Sequence, residues 1–468
     1  MNKNNIIMKK LTAVVLFAAV FVLTNCKPKY DEAEAKKIIK QDGLSINPVR
    51  AQMCQPPGDL PDTPTQTDMD NWALQLFAAL IWPNTKGDRG VPDCNNAIIG
   101  QRSDGQYLPV VWETWKGPNE MFWPDGKKPA SWADNGNPSL PPLCEAAVQE
   151  GKTLIYLDAK AAGVAPVDRY NQAVGYSVTA QNKTIIHYSI TFDKNVYDYI
   201  MKTKGWNIEN QKKMSAANFP HGSMEMKASW VVLNGSSASP DKSRFFTRES
   251  VVYTPELDDV PASCKVQNLG LIGLHFIRKV KANGRDQWIW ATYEHVDNVP
   301  PWKSTTEPGK DPNHAGPYTL FNKDCYTTKD CKYNQSTEDG RPAYDPTEVI
   351  RVIDIGAEAK PLNVAWKELM LAFGKDNPWQ YYELVETQWT RYIAVGDPGT
   401  IEPPSSANTT METYLKEQDS SCVACHQTAK TKMRAIGADY SFMFAQACPD
   451  PKDFPWNNRW PVSASCKE

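Results

Sequence analysis

Two thiols and an imidazole stand together late in the chain, in the run Cys422-Val423-Ala424-Cys425-His426. Two cysteines a helical turn apart can each add to a vinyl group of haem, and the adjacent histidine can then coordinate the iron from one face. With 11 cysteines and 6 histidines in 468 residues, composition alone gives on the order of 0.003 such runs per chain, so chance explains it poorly. The competing chemistries are a lone redox C-x-x-C beside an incidental histidine, and half of a zinc site. A structural zinc site needs a second ligand pair, and the sequence has no second C-x-x-C. The run therefore predicts one covalently bound haem c, with Cys422 and Cys425 as the attachment residues and His426 as the proximal iron ligand.

What occupies the second face of the iron separates the possible functions. A methionine or histidine from the protein makes an electron carrier, whereas an open face admits a small molecule. Met443 is a distal candidate, 17 residues beyond His426, although Phe442-Met443-Phe444 also reads as a core stripe. Met433 is too close to His426 to reach the opposite face. Among the other histidines, His187, His275 and His295 fall within expected strands, His221 at a turn and His314 in a long loop. Glu225 and Glu294 are candidate proton acceptors near an open site, or simply the outward residues of half-exposed strands.

These residues need a compartment and a body. Met8-Lys9-Lys10 followed by the uncharged run from Leu11 to Thr24 is shorter than the ~18 residues of a spanning helix and reads as a signal peptide. Leu23-Thr24-Asn25-Cys26 resembles a bacterial lipobox, which would make Cys26 a lipidated first residue; an ordinary cleavage nearby is the alternative. The expected location is the bacterial cell envelope, lipid-anchored, at the outer membrane facing the periplasm or the cell surface. Setting aside Cys26, Cys422 and Cys425 leaves eight cysteines, enough for four disulfides in an oxidising compartment. Eight cysteines allow about a hundred connectivities; Cys325–Cys331 and Cys448–Cys466 are the short-range expectations.

A net charge of −3 and the lack of long basic runs argue against nucleic acid as a partner. Sixteen tryptophans and 36 prolines imply an aromatic core with stiff connections rather than a helical bundle. Helices are expected over 31–41, 68–82 and 361–373. Strands are expected over 153–157, 184–192, 224–233, 245–253, 269–280, 288–296, 349–355 and 381–389, from their β-branched and aromatic content. Asn283-Gly284 marks a hairpin turn between two of them. The fold class is α+β, an antiparallel β-rich body with a C-terminal haem c-binding segment. The expected organisation is a signal peptide over 1–25, a linker over 26–66, a β-rich domain with long loops over 67–360, and the haem-binding region over 361–468.

Two stretches carry a family resemblance. Phe219-Pro220-His221-Gly222, running into Lys227, and the C-x-x-C-H followed by Asp439-Tyr440-Ser441-Phe442 resemble, in that order, the monohaem hydroxylamine-oxidising cytochromes and their relatives, the beta-type cytochromes c prime. The resemblance implies a β-sheet protein, places Lys227 beside the haem where the hydroxylamine-oxidising members carry a cross-linking lysine, and brings His221 near it. Segments 290–298 and 408–414 resemble those of uncharacterised bacterial monohaem proteins. The expected function is haem binding and electron transfer with a redox partner protein or small-molecule donor or acceptor. The alternative is an open-site haem enzyme or gas binder for hydroxylamine, nitric oxide or peroxide. A third is a binding module built on the β-rich body.

Overall fold

The computed structural model describes residues 30–123, 126–134, 157–158, 177–254, 261, 263–301, 317–326, 330–336, 344–394, 396–415, 420–432 and 436–447. The expected signal peptide with Cys26, the expected pair Cys448–Cys466, Met433 and His314 lie outside these residues.

The architecture is mixed α+β, organised on one largely antiparallel sheet. Its strands are β1 (Leu157–Asp158), β2 (His187–Phe192), β3 (Met224–Val232), β4 (Thr247–Thr254), β5 (Ser263–Ala282), β6 (Arg285–His295), β7 (Tyr382–Arg391) and β8 (Thr400–Glu402). They lie in the order β8-β7-β6-β5-β3-β2-β1-β4. β4 also pairs with the first half of β5, from Thr247↔Gly270 to Thr254↔Ser263, so that part of the sheet curls back on itself. The pairing of β1 with β4 is parallel. β5 is much longer than its apolar run suggested, because its polar first half is held by β4 rather than by a buried face. The expected hairpin joins β5 to β6, with Asn283 and Gly284 at φ 54° and 73°. No strand forms over 349–355. That stretch instead ties in through side chains, Arg351 to Glu294 and the Asn334 side chain to the Ile350 backbone.

Alternation decides which residues reach each face of the sheet. On one face Met226, Ala228, Leu274, Phe276, Ala291 and Tyr293 meet two helices, α1 (Gln66–Leu80) and α2 (Ala359–Phe373). A capping box between Thr65 and Asp68 starts α1. Its Phe77 stacks on Tyr293 at 4.2 Å and on Trp366 at 5.1 Å, and the Tyr293 hydroxyl donates to the Ala73 carbonyl. On the opposite face lie Glu225, Lys227, Ile277, His275, Trp290 and Thr292, where α3 (Lys194–Thr203) and the C-terminal segment pack. Disulfides link Cys54 to Cys94 and, as expected, Cys325 to Cys331; Cys264 is also disulfide-bonded. Closing the 40-residue separation of the first pair contributes about 3–4 kcal/mol in a chain-entropy account.

Candidate functional site

The C-x-x-C-H run forms a short helix, α4 (Cys422–His426), on the second face of the sheet. Ser421 caps it by accepting from the Ala424 N–H. Gln388 of β7 adds a second acceptor, its Oε1 taking the Val423 N–H at 2.9 Å. Helical spacing places Cys422 and Cys425 on one side of α4. Both are free thiols, Cys422 buried and Cys425 exposed. Burial and the nearby Glu412 carboxylate raise both pKa values, so both remain S–H groups.

His426 is held from behind. After α4 the chain doubles back, the Ala438 N–H donating to the Ala429 carbonyl at 2.9 Å. Asp439 and Tyr440 then take left-handed conformations, φ 50° and 65°, which bulky residues rarely adopt. That turn presents the Tyr440 carbonyl to His426 Nδ1 at 2.7 Å. A carbonyl can only accept, so Nδ1 carries the proton and Nε2 keeps a free lone pair. Nε2 makes no hydrogen bond among the described residues. Burial holds the imidazole pKa down to about 4, leaving the ring neutral. Trp290 lies 5.4 Å from the ring and Phe442 edge-on at 5.0 Å.

The two stretches carrying the family resemblance meet in space. Asp439 accepts from the Phe219 N–H and from Lys279, both at 2.7 Å, and Phe219 stacks on Phe444 at 5.3 Å. Ser441 donates to Glu225, whose carboxyl burial raises to about 8.

Lys227 faces the thiols. Cross-strand pairing sets Ile190, Lys227, His275 and Thr292 in one row across β2, β3, β5 and β6. The Lys227 amine is half-buried, lies 5.4 Å from the centre of the Tyr188 ring and makes no direct hydrogen bond among the described residues. Desolvation lowers its pKa, while Glu412, Cys425 and Cys422 act on it electrostatically. The amine therefore stands, in one row with His275, on the wall of the sheet that faces the two thiols. His275 and Glu412 complete that wall, with Nε2 3.2 Å from each carboxylate oxygen. Burial alone would raise the Glu412 pKa, but His275, Lys227 and the Asn408 N–H hold it below the usual range.

The remaining candidates sit elsewhere. His221 is half-exposed between Asp59 and Asp286, 3.1 Å from each. His187 is buried within β2, and His295 stacks on Phe245 at 3.8 Å. Glu294 is buried with Arg351 and Thr409. Met443 is buried in the cluster that contains Val423 and Phe444, three residues past the carbonyl behind His426. Glu412 and Thr292 escaped sequence reasoning although both lie in segments it singled out. The visible signal was alternation, since Lys227, His275 and Thr292 interrupt apolar strands on one parity.

No family model, curated protein or solved structure matches the chain. Among the described residues no helix is long and apolar enough to cross a membrane.

The residues present fit a covalent haem. The thiols are unpaired and a turn apart, the imidazole is neutral with its lone pair free, and aromatic rings flank it.

Proposed function

We propose that the chain is an extracytoplasmic, lipid-anchored monohaem c-type cytochrome that binds one haem covalently and carries electrons. One observation supports this most directly: unpaired Cys422 and Cys425 beside an imidazole whose Nδ1 is fixed by the Tyr440 carbonyl. Cys422 and Cys425 would hold the haem as thioethers and His426 would ligate through Nε2, the bound group supplying a one-electron couple. The carbonyl behind the ring fixes the tautomer and strengthens the imidazole as a donor. The Tyr440 carbonyl sits at Nδ1, opposite the Nε2 that would ligate, and Met443 follows it by three residues, which disfavours Met443 as a distal ligand.

A second reading, an open-site haem enzyme or gas binder, is favoured by a different observation. Lys227, His275 and Glu412 put polar, protonatable groups beside the thiols. A closed electron carrier has no need of them. The dithionite-reduced optical spectrum with and without carbon monoxide separates the two. A spectrum unchanged by the gas means a six-coordinate carrier; an altered one means an open face, and Lys227 becomes the residue to replace.

A further inference from the structure

α3, the short helix Ile208–Gln211 and the chain leaving α4 are tied together by one side chain, Gln211. Its amide donates to the Gly205 carbonyl at 2.7 Å and to the Phe444 carbonyl at 2.9 Å, while its Oε1 accepts from the Lys432 N–H at 3.0 Å. Rings run inward from this join. Tyr199 on α3 is half-buried and lies 4.8 Å from Phe219, which stacks on Phe444 at 5.3 Å and meets Trp288 edge-on at 6.0 Å. Trp288 and Trp290 stand two residues apart on β6, hence on the same face. Trp290 reaches His426 at 5.4 Å. One apolar cluster thus joins the surface at Tyr199 to the imidazole.

The surface outside those rings is basic. Over residues 194–213 five lysines, Lys194, Lys202, Lys204, Lys212 and Lys213, stand against two carboxylates, Asp198 and Glu209, in a chain whose net charge is −3. All five lysines are exposed. Both carboxylates are already engaged, Asp198 by Lys194 at 2.6 Å and Glu209 by Lys212 at 2.5 Å. Lys202, Lys204 and Lys213 have no ion-pair partner among the described residues. A cleft of about 290 Å³ opens between α3 and the stretch 218–220, with Tyr199 and Lys202 in its wall. A helix face that only meets water has no reason to set unpaired lysines over an apolar route to His426.

We propose that this face docks a redox protein with an acidic surface, and that the electron passes between partner and haem here. This rests on the haem reading above. When the partner is the donor, its centre loses one electron and the ferric iron becomes ferrous; no bond breaks and no proton moves. Electron-transfer encounters are small, covering less than about 1,200 Å², so charge steering rather than buried area sets their rate. An anionic lipid surface would also meet the lysines but has no use for the rings beneath them.

The test follows reduction of the oxidised, haem-loaded full chain by reduced flavodoxin, an acidic one-electron donor protein, across an ionic-strength series. Lys202→Glu/Lys213→Glu should lower the bimolecular rate constant about tenfold at an ionic strength of about 0.01 M. The gap should close toward about 1 M salt, where the screening length falls to about 3 Å. Lys202→Gln/Lys213→Gln should give a smaller loss with the same salt dependence. Lys367→Glu/Lys375→Glu makes the same charge change on and beside α2, against the other face of the sheet, and should stay within about twofold of wild type. Dithionite, which needs no docking, should reduce every variant alike. An equal fall in both glutamate variants, a fall that persists at high salt, or no fall at all would overturn the proposal. So would a wild type that dithionite reduces and flavodoxin does not. Loss of binding to phosphatidylserine vesicles with flavodoxin rates unchanged would also overturn it, making the patch a lipid contact. A wild-type chain without covalent haem by pyridine haemochrome contradicts the haem reading itself.

Discussion

Glu225 shows how one buried side chain makes stability depend on pH. Burial raises its carboxyl from the ordinary 4.5 to about 8. Between those values the folded chain holds a proton that the unfolded chain has released. Its contribution is therefore complete below about pH 4.5 and is lost as the pH rises through about 8, at up to about 1.4 kcal/mol per pH unit. Asp193, raised by burial to about 7, adds the same sign. Glu225→Gln should flatten the fall in urea-unfolding free energy between about pH 5 and about pH 8. An unchanged slope would show that Glu225 is not protonated in the fold. At this scale the sequence was most legible where chemistry demands fixed spacing, as in Cys422, Cys425 and His426. It was silent on Glu412, because only the folded turn brings that carboxylate to a histidine 137 residues away in the chain.

The β5 strand and the 408–412 turn meet at Gly273, where a Cβ would lie 2.5 Å from the Thr410 hydroxyl and 2.6 Å from that of Ser229. Both hydroxyls are buried and bonded to each other, so neither can give way. Gly273→Ala should cost about 1–3 kcal/mol in denaturant unfolding, whereas Gly58→Ala, in open space, should cost far less. Equal costs would mean that the turn does not seat on the sheet as described. The central strands were readable from alternation and apolar density, and the hairpin from Asn-Gly. The 349–355 stretch was misread because its apolar residues suit a strand equally well. Its Val349 instead fills a small cluster with Leu320 and Phe321, and Arg351 serves a buried ion pair.

At the scale of the molecule, two helices close one face of the sheet and leave the other to α3 and the C-terminal segment. The chemistry-bearing residues of β3, β5, β6 and α4 therefore collect on that second face. Chain order hid this arrangement, since Lys227 and Cys425 stand almost two hundred residues apart in the sequence. The disulfides agree with an oxidising compartment, though only weakly. Lipid anchoring makes a separate prediction. Cys26→Ser should move the mature protein from the membrane fraction to the soluble one, and a variant that still sediments with membranes would remove the lipobox reading.

The covalent haem is the claim on which the rest depends. Acid–acetone extraction of the purified protein, followed by intact mass and pyridine haemochrome, tests it directly. The account predicts that the wild type retains the mass and spectrum of one haem c while Cys422→Ala/Cys425→Ala retains none. A wild type that gives up its haem to the solvent, or a double variant that keeps it, would contradict the account.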